Sequence, residues 1–527
     1  MEMQWRHRSK RGGAIKQEGE DWLSRLPDDI LHSILRGLPL KHAARTSALS
    51  RRWARTWLRA LASSRALDFT DRDFARGQQA SSRAAAAAAA TVSCCLRLHA
   101  EHGAPLDVFR VALMSPAPGT FERDVVAWVA SAVARGAREV EVDLTRPPTK
   151  GGAVDETAAL VELPGDLFVA TNSLARLALG GFSLRAVPGG AAAGLAGLRS
   201  LSLSHADVAD EAVRDVVSSC RALEHLSLRS CGLLRSVRIA GAATLRALEI
   251  VRCPAVRELR VTAPALESFA FHGDTVGDTV YWDGYGDPYS AVDLGSTPAL
   301  RDAYLSHIGF DDDVNAYQDR EYVYSNFLSC VAHARALTLC SVGLLHLWAQ
   351  LGYDEGVEID MTNIQELQLL LSSEGEGDDL QSFASFFQIN PLPLLDRLFV
   401  NLPSDTTDAS DAAAALAGEV VDDSRMVIPY IDFVLDHLSF IKLVNFRGTR
   451  FELQLLAFLL KRAPALEKLV LVTVGEEGRA PVDEHIIQGW VSVMQKASPE
   501  AQLTVCRSSE DRSQNPVHTR FYHVLEE

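Results

Sequence analysis

The sequence predicts an α/β protein of two unequal parts: a small three-helix unit at the N-terminus and a long, irregular solenoid of stacked strands behind it. Three observations carry this. Apolar residues at helical spacing and two tryptophans crowd into residues 26–57. A six-residue pattern, apolar-x-x-apolar-x-apolar, recurs through the middle of the chain, and the last hundred residues alternate strand and helix periodicity.

The helical unit follows a polar, Gly-containing leader, residues 1–20, expected to be disordered. Pro27 followed by Asp28 and Asp29 is a helix start, because proline presets φ and the acids face the positive end of the helix dipole. Ile30, Leu31, Ile34, Leu35 and Leu38 then form one apolar stripe, which Gly37 and Pro39 end. A second helix follows from Leu40. A third opens at Ser50, a good N-cap, with Trp53 and Trp57 four apart on one face. About 45 residues bury too little surface to satisfy three such helices, so the stripe requires a partner, in the chain or outside it.

The recurring pattern reads Leu174-x-x-Leu177-x-Leu179, then starts again at Leu198, Leu223, Leu245 and Leu266, with separations of 24, 25, 22 and 21 residues. That spacing is in the range of leucine-rich repeats, in which each copy contributes a short strand and only stacking buries its leucines. Val256-x-x-Leu259-x-Val261 falls between two copies and reads as an extra short turn. Later copies start at Leu300, Ala334, Ile364 and Leu395, with inserted loops between them. Residues 272–297, around Tyr281, Trp282 and Tyr285, and the acidic residues 403–425 read as loops; the three aromatics are candidates for contact with a target. Near the C-terminus, Leu438-x-x-Ile441-x-Leu443 is a strand, residues 452–461 an amphipathic helix and residues 466–471 the next strand.

Three regions of the sequence resemble known families. Leu26-Pro27-Asp28-Asp29-Ile30-Leu31, Ile34-Leu35, Leu38-Pro39, Arg45-Thr46-Ser47 and Leu49-Ser50-Arg51-Arg52-Trp53 with Trp57 resemble the F-box of plant F-box proteins. Ala54 departs from the basic residue common after that Trp, and Ala44 from a frequent Val. The resemblance implies that Leu26, Pro27, Ile30, Leu31, Ile34, Leu35, Leu38 and Pro39, with Leu49 and Trp53, form or support a surface that binds a Skp-type adaptor. Residues 134–144, 162–168, 299–305 and 334–344 are similar to stretches of grass F-box/leucine-rich-repeat proteins. Asn445-Phe446-Arg447-Gly448, Glu452, Phe458-Leu459-Leu460-Lys461 and Leu466-Glu467-Lys468-Leu469 look like the FBD domain of the same proteins. The expected organisation is therefore an F-box over residues 21–66, an irregular solenoid over 67–425 and an FBD unit over 426–527 that continues it.

Composition narrows the partners. Residues 1–65 hold 14 Lys/Arg and 6 Asp/Glu, leaving 38 basic and 62 acidic residues for the rest, so a nucleic-acid groove along the body is not expected. Eight cysteines without a CxxC pair point to reduced thiols, and the basic run Arg6–Arg11 is compatible with nuclear import; the expected location is the cytoplasm, the nucleus or both. No membrane span is expected, since the Ala84–Ala90 run is too short. No P-loop, GxGxxG, HExxH or GxSxG motif occurs, and neither His99-Ala-Glu101-His102 nor Cys330 with His333, Cys340 and His346 makes a convincing metal set, so no cofactor or metal is expected. The expectation is a non-catalytic, substrate-recruiting subunit of a Skp–cullin–F-box ubiquitin ligase. The alternatives are a ligand-sensing F-box receptor and a non-degradative scaffold that binds the adaptor.

Overall fold

The computed structural model describes residues 25–70, 82–113, 121–145, 160–164, 173–184, 194–273, 292–295, 297–307, 317–344, 359–371, 379–403, 433–473 and 484–519. Helix α1 (Asp28–Arg36) starts behind Pro27 and stops at Gly37. Helix α2 (Leu40–Arg45) starts behind Pro39 and runs into a short 3-10 turn, Thr46–Ala48. Helix α3 (Arg51–Ala62) is capped by Ser50, whose hydroxyl accepts the Trp53 N–H at 3.3 Å.

Fifteen parallel strands then form one sheet whose spatial order is the chain order. They are Ala66–Phe69, Val108–Ala112, Glu139–Asp143, Arg176–Gly180, Ser200–Ser204, His225–Arg229, Ala247–Val251, Ser268–Gly273, Asp302–His307, Ala336–Cys340, Glu366–Leu370, Arg397–Asn401, Phe440–Phe446, Lys468–Thr473 and Gln502–Arg507. The register lines up one apolar position per strand in a column: Leu177, Leu201, Leu226, Leu248 and Phe269 in the middle of the chain, Leu67, Phe109 and Val140 before them, Leu367, Leu398, Ile441 and Leu469 after. A second column two residues on, from Phe69 through Leu179 and Leu339 to Leu471, points the same way. Together they face one continuous core that runs from Leu61 to Val491.

The pattern starts earlier than its leucines suggest. Leu106-x-x-Phe109-x-Val111 and Ala137-x-x-Val140-x-Val142 occupy the same positions as later copies, but the helices Ser82–Glu101 and Glu122–Ala134 inserted beside them stretch the period. Helices also back the sheet at Asp210–Ser219, Tyr317–Val331, Asp379–Ile389, Arg450–Arg462 and Glu484–Val493. Where successive strands begin only 21 or 22 residues apart, the return is extended instead of helical. This corrects the reading of Val256-x-x-Leu259-x-Val261 as an extra turn: Glu258–Val261 is a strand, paired in parallel with Ser236–Ile239 on one side and Val292–Asp293 on the other. A second such sheet joins Val161–Glu162, Phe182–Leu184 and Asp207–Val208.

Four successive turns out of the long sheet repeat one device. Gly181, His205, Ser230 and Arg252, one residue past their strands, adopt positive φ, and each donates its N–H to the end of the next strand. The bonds run from His205 to the Arg229 carbonyl at 2.8 Å and from Ser230 to the Val251 carbonyl at 2.8 Å. In the C-terminal part, the predicted strand–helix–strand unit is present as Phe440–Phe446, Arg450–Arg462 and Lys468–Thr473. Its helix carries a capping box in which Glu452 accepts the N–H groups of Arg447, Gly448 and Thr449 at 2.8, 2.6 and 3.1 Å. Gly448 has φ +79°, and the Trp490 ring lies where any Cβ would stand. Among the described residues no helix is long and apolar enough to cross a membrane.

Two outcomes test this architecture. Leu339→Ala, in the middle of the second column, should cost about 2–5 kcal/mol in urea unfolding. Burial, with Arg252 adding to it, holds the His272 imidazole down to about 4. The unfolded chain, with an ordinary histidine near 6.5, therefore binds the extra proton first as pH falls, and the protein loses stability between pH 6.5 and about 4. Urea midpoints should drop from pH 7 to pH 5, and less steeply in His272→Gln.

Candidate functional site

The three N-terminal helices sort their apolar residues into two sets. Leu31 (0% exposed), Leu35 (2%), Ala43, Trp53 and Ala60 pack together as a small core of their own, with Leu26 and Trp57 partly buried beside it. Ile30 (47%), Ile34 (39%) and Leu38 (38%) stand in solvent, as do Leu49, Pro27 and Pro39. Ile30 and Ile34 are one helical turn apart on α1, so they share a face. The single stripe expected from the sequence is thus two rows of opposite function in packing: one row closes the helical core and the other is left unpartnered. Leu58, on α3, is a further exposed apolar residue that the sequence reading did not select.

Polar contacts hold this unit in shape. Arg52 donates to Asp28 at 2.8 Å and to the Leu26 carbonyl, tying α3 to the start of α1. Asp28 is therefore a cross-helix partner as well as a first-turn acid. The partner that the apolar excess demanded is in part the chain itself: Leu61 belongs to the solenoid core, and Leu40 and Trp57 pack against it. Arg65 pairs with Asp107 at 2.7 Å at the same junction.

The second surface is the face of the long sheet that points away from the core. Its first half is polar and carries ion pairs from strand to strand. Arg110 meets Glu139 at 2.6 Å and Asp68 and Glu141 at 3.5 Å; Arg229 meets Glu249 at 2.9 Å. Its second half is covered by the chain's own C-terminal residues. Lys442, between the core residues Ile441 and Leu443, is 1% exposed; its Nζ donates to Asp511 at 2.6 Å, Asn515 at 2.7 Å and the Gln514 carbonyl at 3.2 Å. Burial pushes the Asp511 carboxyl up, but hydrogen bonds from Lys442 and Ser513 outweigh it and hold its pKa below the ordinary aspartate value. Three and four strands from Lys442, His518 reaches Thr338 at 2.8 Å and Asp302 at 2.9 Å, its ring edge-on to Tyr304. The Val517 N–H donates to Glu366 at 2.8 Å. The sequence carried no signal for this: the partners lie 69 to 216 residues apart and follow no period.

Tyr281, Trp282 and Tyr285 lie outside the described residues, as does nearly all of residues 403–425. His99 is buried in the helix Ser82–Glu101, bonded to the Ser64 carbonyl and to Arg135, while His102 is exposed, so the two do not converge. Among the described residues no three His, Cys, Asp or Glu side chains are placed to hold a metal. Burial pushes the Cys95 and Cys220 thiols up to about 11, which keeps them protonated at neutral pH.

Comparison with known proteins agrees with this geometry. The F-box domain model matches residues 23–60, the model for the leucine-rich repeats of an FBD-associated F-box protein matches residues 125–301, and the FBD model matches residues 431–471. Three relatives come from Arabidopsis thaliana. An F-box/LRR-repeat protein is 28% identical over 253 residues, 47% of this chain and 46% of its own length. An F-box protein is 27% identical over 238 residues, 44% of this chain and 64% of its own length. An F-box/FBD/LRR-repeat protein is 23% identical over 490 residues, 86% of this chain and 89% of its own length. The match thus spans less than two thirds of the first two relatives and most of the third. Three helices within residues 28–62, a parallel repeat sheet and a strand–helix–strand unit thus fall, in that order, where the chain is similar to plant F-box, leucine-rich-repeat and FBD sequences.

Proposed function

We propose that this protein is a non-catalytic, substrate-recruiting subunit of a Skp–cullin–F-box ubiquitin ligase. In this reading the F-box docks on the Skp-type adaptor and through it on the cullin, and the free face of the solenoid binds a target protein. The observation that carries the proposal is the row Ile30, Ile34 and Leu38, which stays exposed among the described residues while a packed second row lies behind it. Apolar side chains arranged in this way on a rigid helix are anchors for a protein partner. The subunit's contribution is proximity: a target held on the solenoid experiences a high effective concentration of the ubiquitin-loaded enzyme. We place this role in the cytoplasm, the nucleus or both, a reading supported by eight unpaired cysteines, most of them buried.

Calorimetry with a purified Skp-type adaptor tests the docking. Ile30→Ala, Ile34→Ala and Leu38→Ala should each weaken binding about tenfold or more, about 1.4 kcal/mol, without lowering the urea midpoint. Leu31→Ala should do the reverse in kind, costing about 2–5 kcal/mol of fold stability because it opens a cavity under the face. No binding by the wild-type chain sinks the ligase reading.

A further inference from the structure

Past its last strand the chain doubles back over its own sheet. The turn at Arg507 is closed by the N–H groups of Glu510 and Asp511 on the Arg507 carbonyl, at 2.9 and 3.0 Å. From there the segment crosses the free face at right angles to the strands, reaching Lys442 with Asp511 and Asp302 with His518. The strands of Lys442 and Asp302 are four steps apart, roughly 19 Å at the usual spacing. Seven residues of extended chain span about 23 Å. Residues 511–518 cover that distance with a bend at Ser513 and a turn at Val517 and His518, and Asp511, Gln514 and Asn515 all close on the Lys442 ammonium.

The face under this segment is built to receive it. Lys442 offers three donors and meets three acceptors, two side-chain oxygens and a carbonyl. At the other end Glu366 and Asp302, both acidic, meet donors: the Val517 N–H and the His518 imidazole. Glu366 is itself held by Arg397 at 3.2 Å. The surface thus reads a carboxylate at one end of a bent segment and a cation or N–H donor seven residues later.

The segment itself is weakly anchored. Within residues 508–519 only Pro516 and His518 are buried, and the run contains no strand. Segments with little buried apolar area open at far lower cost than the core beneath them. On opening, water reaches the Lys442 ammonium, so release does not strand a buried charge.

We propose that the free face between the strands Asp302–His307 and Phe440–Phe446 is a peptide-binding surface, and that residues 511–518 occupy it as an intramolecular stand-in for a target segment. The ligand is a protein segment that folds around Lys442 with an Asp or Glu and places a His, Lys or Arg about seven residues C-terminal to it against Asp302. This inference rests on reading the free face as the recruiting surface and is independent of whether the F-box docks.

The test uses full-length protein and a fluorescent synthetic peptide of residues 508–519 as the probe, followed by polarisation. An opened variant, Asp511→Ala/Asn515→Ala/His518→Ala, should bind the probe at least tenfold more tightly than wild type. Adding Lys442→Met to that variant should remove at least tenfold of the gain. In wild type, hydrogen exchange of residues 508–519 should be much faster than that of the strand Gln502–Arg507. Equal probe binding by wild type and opened variant, binding indifferent to Lys442→Met, exchange as slow as the strand's, or an opened variant that fails to fold would each overturn the proposal. Adaptor binding measured on the same preparations separates the two readings: an opened variant that takes the probe while wild type ignores the adaptor defeats the ligase role alone.

Discussion

The carbonyl of the residue before each long strand accepts two N–H groups, from the residue before the next strand and from that strand's first residue. Arg65 receives Asp107 and Val108, Ala175 receives Arg199 and Ser200, Glu224 receives Arg246 and Ala247, and the same pair recurs as far as Ser439 with Glu467 and Lys468. Every repeat is thereby registered on its predecessor at the point where its strand begins, whatever lies between. This is why the spacers can vary from a tight extended return to a twenty-residue helix without disturbing the sheet. The apolar columns inside the solenoid are a consequence: a one-residue slip at any entry would turn a leucine row outward.

The F-box shows the opposite economy. Its helices are too short to hide all of their apolar residues, and the structure divides the excess among three destinations. Leu31, Leu35 and Trp53 close the unit on itself, Leu61 and Trp57 join it to the solenoid, and Ile30, Ile34 and Leu38 are left over. The split follows from helical geometry, because neighbouring positions such as 30 and 31 point about 100° apart. A stripe read from spacing alone merges such neighbours.

Much of the fold was legible because apolar-x-x-apolar-x-apolar is a direct imprint of strand alternation plus the turn that enters it. Every copy from Leu174 to Leu395 that was read as a strand is one. The errors have physical causes. Glu258–Val261 carries the same alternation because it is also a buried strand, but on the back of the solenoid, and the pattern does not encode which sheet a strand joins. Phe109 and Val140 escape the pattern because helices of 20 and 13 residues push their copies out of period. The ten F-box positions were recoverable only as a set; which of them face inward depends on packing against α3. Lys442 gave no sign of its burial, since a lysine between two core residues normally points to water and what covers it is some seventy residues away.

The shared core of the F-box and the solenoid has a mechanical consequence. Trp57 and Leu61 lie on one helix, α3, that contributes to the packing of both units. The strands from Ala66–Phe69 to Asp302–His307 are eight steps apart, about 38 Å along the stack. Whatever rests on a given strand stands a fixed number of strand spacings from the N-terminal helices, and inserting or deleting one repeat would displace it by a single strand spacing.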